Sequence, residues 1–571
     1  MISRPDLAIV LALLCAAVAS CGGPAATIDD LVQLRSQVAR GDAGAAQLTV
    51  DRLVESELER STYAAYAGEA ALLRGDLADA RTWLADGKFD DRTASLGYRL
   101  LADLEMREEN VAAAADALEQ ARMVAPDDPR VWVLIGRLRY SLGNHLAAFE
   151  AADRAMELGP TDVEALKFRG QLARDSEGMV PAVQWFEKAV GQAGSDRALQ
   201  IEYAATLLDA GEPERAQSIL AQFDDPYLKA VELARTGDFV AARQALELTE
   251  GARRDTAAAR LLSAIIDVEL GNFQSAAQEL DQLGREQPSN HRIRDLLAFV
   301  LSQNGNEQEV IYRFSDQARG PGGSPWLRTL VGRAFEALDR REEAAIYLDL
   351  AAVDETVLGP LRGGEKQAGD EGIMRRDQVR AALSAGDIER GVDMARRMAE
   401  AYPESADAAA LLGDALLARN DRVAAFRAYE RAARVRRNWP LLLRMAAARE
   451  RAEAARLVAA FAAANPLNAE AAALAADGYA AAGQWEDAAR LLDRALGNGM
   501  RQVPWVLAAR SVAARELGEG DGVDQLDWAI EAYETQRMSP PAIAALLAAL
   551  PEEDVQLRSE LAAKLRALSE S

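Results

Sequence analysis

Cysteine and histidine are nearly missing from this chain: 571 residues hold two of each. Two cysteines permit at most one disulfide and cannot assemble a cysteine-based zinc site. The histidines, His145 and His291, stand in different regions, which excludes a multi-histidine metal centre and leaves each as an ordinary surface or core residue. Aromatic residues make up only 6%. Lysine is scarce too, with six among 65 basic residues, and 90 acidic residues bring the net charge to −25. That surplus repels a phosphate backbone and argues against nucleic acid as a partner. Valine and isoleucine are sparse beside alanine and leucine, so the 50% hydrophobic content predicts helices and almost no sheet.

Catalytic signatures are equally thin. The one Gly-Lys pair, Gly87-Lys88, has Thr82 where a phosphate loop needs its first glycine. No H-E-x-x-H or G-x-S-x-G occurs, and Gly322-Gly323-Ser324 reads as a loop. Gly518, Gly520 and Gly522 lie beside Asp521 and Asp524 but lack the alternating oxygen ligands of a calcium loop. Without a pocket, no pair among so many carboxylates can be nominated as acid and base. An enzyme, a cofactor and a bound metal are therefore not expected.

The amino terminus, MISRPDLAIVLALLCAAVASC, carries an early arginine, an apolar run from Leu7 to Ala19 and a small-residue site. The run is short for a membrane span and suits a secretory core. Val18-Ala19-Ser20-Cys21 resembles the lipobox of bacterial lipoproteins, although Asp6 weakens the charge bias ahead of the run. The resemblance implies cleavage after residue 20, lipid on Cys21, a tether over 21–26 and membrane attachment through the lipid. It further implies a bacterial cell envelope location, as an outer-membrane lipoprotein facing the periplasm. Cys15 would leave with the signal, so no disulfide would remain.

From Thr27 onward the chain repeats. A glycine followed by a polar residue, with alanine five positions after the glycine, recurs at Gly41, Gly75, Gly143, Gly237, Gly271 and Gly483, at spacings of 34 or its multiples over most of the chain. Units begin at 27, 61, 95, 129, 163, a short one at 197, then 223, 257, 291 and 325, the last ending at Leu358. Others begin at 372, 406, about 440 and 469, with a degenerate one from about 503. The unit from 129 is fullest: Trp132, Ile135-Gly136, Ala148, Ala155 and Pro160 stand at positions four, seven and eight, twenty, twenty-seven and thirty-two.

This pattern resembles the tetratricopeptide repeat, a helix-turn-helix module. The resemblance implies an all-α fold, a right-handed superhelical solenoid in which each pair buries its apolar face against its neighbours. Small residues at positions eight, twenty and twenty-seven suit the closest helix approaches. Departures at Gly194, Val310 and Gly391 predict irregular units. Ala318 to Pro325 is rich in helix breakers but stays within the count, whereas 359–371 adds 13 residues outside it and is the expected linker. The expected division is therefore a solenoid over 27–358, a second segment over 372–523 and capping helices over 524–571.

Peptide-clamping members of that family use asparagine at positions six and nine of first helices, and no regular unit here has it. The face formed by positions two, five, nine and twelve lines the groove of such superhelices. Across 95–196 it presents Arg99, Asp103, Arg130, Arg137, Tyr140, Lys167, Gln171 and Arg174, a locally basic stripe with one aromatic. Arginine forks and a tyrosine suit an acidic peptide or an anionic polysaccharide. The expected role is a scaffold for protein partners in the cell envelope, similar to the lipoproteins of exopolysaccharide export, pilus assembly or exosortase-type sorting. Polysaccharide capture by the stripe is the alternative.

Overall fold

The computed structural model describes residues 24–320, 323–352, 370–519 and 523–570. The expected signal peptide and the expected lipidation position, Cys21, lie outside these residues, as does the expected linker except for 370–371, which join the helix Asp370–Ser384. Among the described residues there are 32 α-helices, two short 3-10 turns and no strand. Helices adjacent in the chain pack as pairs. Ala94–Arg107 packs on Val111–Val124, Pro129–Ser141 on His145–Leu158, and Ala406–Ala418 on Arg422–Ala433.

The recurring Gly-polar dipeptide ends one helix and starts the next. Gly75 closes the helix Arg60–Arg74 at φ 75°, a left-handed conformation in which only glycine avoids a Cβ clash. Asp76 then caps the helix Leu77–Leu84, its side chain accepting the Asp79 N–H at 3.0 Å. Among the described residues, three turns adopt positive φ without glycine, at Glu109, Asp339 and Asn420.

The small positions sit where the paired helices approach. Ala46, Ala80, Ala114, Ala148, Ala182, Ala216, Ala242 and Ala276, all at position twenty, are fully buried. At position eight of the unit from 406, a Cβ on Gly413 would lie 2.4 Å from the ring of Tyr429. The units expected to be irregular nevertheless keep both helices, His291–Gln303 with Glu307–Arg319 and Asp370–Ser384 with Ile388–Ala401. Val310 is absorbed into a continuous core with Leu297, Leu301 and Phe314. At Gly391 the side chain of Leu383 occupies the space a Cβ would need.

By packing, the described residues divide into one unit ending at Arg169 and another beginning at Gly170. The first contains core clusters around Leu34, Val50 and Leu53, around Leu84 and Leu104, and around Leu118 and Leu138. The second is larger and its elements also meet across long sequence separations. The Arg437 N–H donates to the Asp175 carbonyl at 2.8 Å. Beside it Gly178 has φ 112° and ψ 178°, and a Cβ there would lie 2.9 Å from the Cβ and the carbonyl oxygen of Ala464. The carboxyl end of this unit is closed by Val555–Glu570, whose Leu561 is buried in the cluster with Ile543 and Leu546.

Candidate binding face of the first helices

In the first unit the stripe residues lie on the first helices Ala94–Arg107 and Pro129–Ser141 and on the part of Val163–Ser176 up to Arg169, and most of the arginines point at a carboxylate of the next pair. Arg99 Nε is 3.3 Å from Asp128 and Arg130 Nε is 3.2 Å from Asp162. Both acids also cap the following first helix, Asp128 accepting the Arg130 N–H at 2.9 Å and Asp162 the Ala165 N–H at 3.0 Å. Arg137 reaches Glu164 at 3.0 Å, and its guanidinium lies over the Phe168 ring at 5.8 Å. Asp103 pairs within its own helix with Arg107 at 2.8 Å.

Burial pushes Glu69 above the usual carboxylate range, against the opposing pull of Arg99 and Arg130. Burial likewise lowers the Arg99 guanidinium against the pull of Asp128. Tyr140 packs edge-on against the buried His145, ring centres 5.0 Å apart. Lys167 stands on the same first-helix register, half-buried.

In the second unit Gln171 donates to Glu202 at 2.9 Å, and Arg174 pairs with the same carboxylate while lying 4.6 Å over the Phe186 ring. Within each unit, then, most of the basic residues of this register are tied by ion pairs to a carboxylate of the next helix pair. The reason is geometric. An arginine at position two or five reaches one turn further than its own helix, where the capping aspartate of the next unit already stands.

The same register positions change character later in the second unit. They hold Tyr227 and Val231, then Leu261, Ile265 and Val268, each partly buried, and then the partly buried Phe299 and the exposed Trp326 among polar residues, Arg292, Asp295 and Ser302 in one unit and Thr329, Arg333 and Glu336 in the next. The Phe299 and Trp326 rings lie 5.7 Å apart, and Trp326 is 45% exposed. This apolar and aromatic stretch was readable from the same four positions, carried beyond residue 196.

Among the described residues no group of three or more His, Cys, Asp or Glu could hold a metal ion, and no helix is long and apolar enough to cross a membrane.

The arrangement defines a class, an all-α array of helix-turn-helix pairs that displays its first helices along one register. The tetratricopeptide repeat family model matches residues 99–163 and 376–441, one stretch in each unit. No curated protein matches the chain in sequence. Among solved structures, the chain is similar to the Cut9–Hcn1 hetero-tetramer of APC/C at 12% identity, covering 94% of this chain and 92% of that one, with a TM-score of 0.39. It is also similar to Pseudomonas aeruginosa pilF at 18% identity, covering 36% of this chain and 98% of that one, with a TM-score of 0.30. Yeast Tom70 is similar at 15% identity, covering 84% and 93%, with a TM-score of 0.27.

Proposed function

We propose that the chain is a lipid-anchored scaffold that holds protein partners along its first-helix face, in assembly or stabilisation of a machine of the bacterial envelope such as one for exopolysaccharide export, pilus formation or protein sorting. One observation carries this reading: within the second unit the first-helix register positions present the partly exposed Leu261, Phe299 and Trp326, with the Phe299 and Trp326 rings 5.7 Å apart among polar neighbours. Binding surfaces draw most of their energy from a few partly exposed aromatic and arginine side chains, surrounded by polar contacts that set register. The lipobox-like Val18-Ala19-Ser20-Cys21 supports the anchor.

Direct capture of an anionic polysaccharide would need cations free to face it, and Arg99, Arg130, Arg137 and Arg174 already have carboxylate partners. A protein segment that exchanges those ion pairs for its own fits the face better. Replacing Arg137→Glu together with Lys167→Glu is expected to weaken capture of a defined partner at least tenfold while helicity is unchanged and melting falls only by the small amount that loss of the Arg137–Glu164 pair entails. Capture that survives the double change removes these residues from the site. Cys21→Ser is expected to release the chain from membranes, and a variant that still fractionates with membranes stripped of other proteins contradicts the anchor.

A further inference from the structure

The first helix pair of the first unit carries an apolar row that nothing covers among the described residues. In Pro24–Ala39, Leu34 and Val38 are buried with Val50 and Leu53, and Leu31 packs against them. On the flank beside Ala43–Val54, Asp30 accepts from Arg52 at 2.8 Å and Gln37 accepts from Thr49 at 2.8 Å. Ile28 and Val32 stand one turn apart on the opposite flank, 60% and 63% exposed, and the exposed Arg35 and Ala39 continue the row.

The register explains why this row is bare. Val32 stands at position six of its unit, and in the interior of the array that position packs on the pair before it. Phe168, at the same position, is buried, and a Cβ on Gly136 of the preceding pair would lie 2.5 Å from its ring. Leu330 and Leu411, also at position six, are buried as well. No described helix pair precedes Pro24. A terminal repeat that faces water needs a polar outer face, and Ile28 and Val32 are not polar. Arg35 and Arg40 beside them have no ion-pair partner among the described residues. Of the helix's two acids, Asp30 is turned away and tied to Arg52, and Asp29 borders the row.

Cys21, the expected lipid-bearing residue, precedes Pro24 by three residues, a reach of at most about 11 Å. Lipid on Cys21 would hold the first turns of the helix at the headgroup layer. An apolar row edged by arginine is stable there, because its aliphatic side chains enter the boundary with the acyl chains while the guanidinium groups stay with the phosphates. We propose that Pro24–Ala39 lies on a phospholipid surface through Ile28, Val32 and Ala39, with Arg35 and Arg40 turned to the phosphates. The membrane surface then takes the place that a preceding pair takes in the interior of the array. This contact rests on the reading of Cys21 as the anchor, and adds to it a defined face by which the first unit meets the membrane.

The test uses the lipidated full-length protein in vesicles of phosphatidylethanolamine and phosphatidylglycerol. A bimane label is placed on Ile28→Cys, Val32→Cys or Ala39→Cys, and on Asp116→Cys, an exposed position of Val111–Val124, as control. Lipids brominated near the top of their acyl chains are expected to quench the first three labels at least threefold more than the control. Ile28→Asp with Val32→Asp, both exposed positions, is expected to remove most of the quenching at Ala39→Cys, with helicity and flotation with vesicles unchanged. Flotation without quenching at Ile28→Cys and Val32→Cys overturns the contact and leaves the anchor standing. Equal quenching at Asp116→Cys, or quenching at Ala39→Cys that the double change leaves intact, also overturns the contact. Uptake of label by the unsubstituted chain, or failure to float, removes the anchor and this contact with it. Shielding of the labels in detergent that grows with protein concentration gives the face to a second copy of the chain and overturns the membrane assignment.

Discussion

Replacing Gly413 by alanine isolates what the small residue at position eight contributes. The added Cβ would sit 2.4 Å from Tyr429 Cε1 and 2.5 Å from Cδ1, well inside ordinary carbon contact. The ring has little room to swing away, because Tyr429 is fully buried and its hydroxyl donates to Asp414 at 2.8 Å. Overpacking of this kind costs about 1–3 kcal/mol. Alanine also gains up to about 1 kcal/mol over glycine in a helix, which masks part of that cost. Gly191→Ala supplies the control, since Gly191 is also helical, in Met179–Gln192, and nothing lies within 4 Å of its would-be Cβ. The two variants are expected to move in opposite directions, and their difference is the overpacking cost itself. Because repeat arrays open locally, the assay is native-state hydrogen exchange at the amides of Ala406–Ala418 and of Met179–Gln192, read as local opening free energies. Equal shifts of the same sign in both variants would refute the close-approach argument.

Glu109 occupies a left-handed turn at φ 62° and is exposed, so Glu109→Gly is expected to stabilise the pair Ala94–Arg107 and Val111–Val124 by about 1 kcal/mol in the same exchange measurement. Asp414 supplies a pH dependence. Burial outweighs the pull of Arg444 and pushes its carboxyl up to about 7. Unfolded, it loses its proton near pH 4, so folding takes up a proton between these values and stability falls as pH rises. The contribution is complete below about pH 4 and lost above about 8. Between pH 5.5 and 8 it amounts to about 2 kcal/mol. Urea unfolding of the helices around Asp414 should show this slope, and Asp414→Asn should remove it. Gly178→Ala combines a disfavoured φ with a clash at Ala464, and is expected to strip hydrogen-exchange protection from the Arg437 amide that donates to Asp175.

The helix pairs were legible because the register is written in backbone terms. A residue that tolerates positive φ, a capping aspartate and an alanine five positions after the glycine each report a local geometry, and Gly75, Asp76 and Ala80 are found doing so. Turns that use Glu109, Asp339 or Asn420 escaped that landmark, since the conformation there is imposed by packing on both sides. The candidate face was legible only as a set of positions. Register says that Arg99, Arg130 and Arg137 share a side; it does not say that Asp128, Asp162 and Glu164 of the next pair reach back to them. Such pairing depends on the offset between stacked helices, which no single repeat encodes.

The central claim is that partners lie on the first-helix face. Its most direct test places a photo-crosslinking side chain at Tyr140, Phe299 or Trp326 on that face, and at Tyr312, which is 87% exposed on the second helix Glu307–Arg319. Irradiation of intact envelopes is expected to yield a discrete protein adduct from the first-helix positions of each unit and none from Tyr312. An adduct that forms from Tyr312 alone, or equally from every position, would contradict the account.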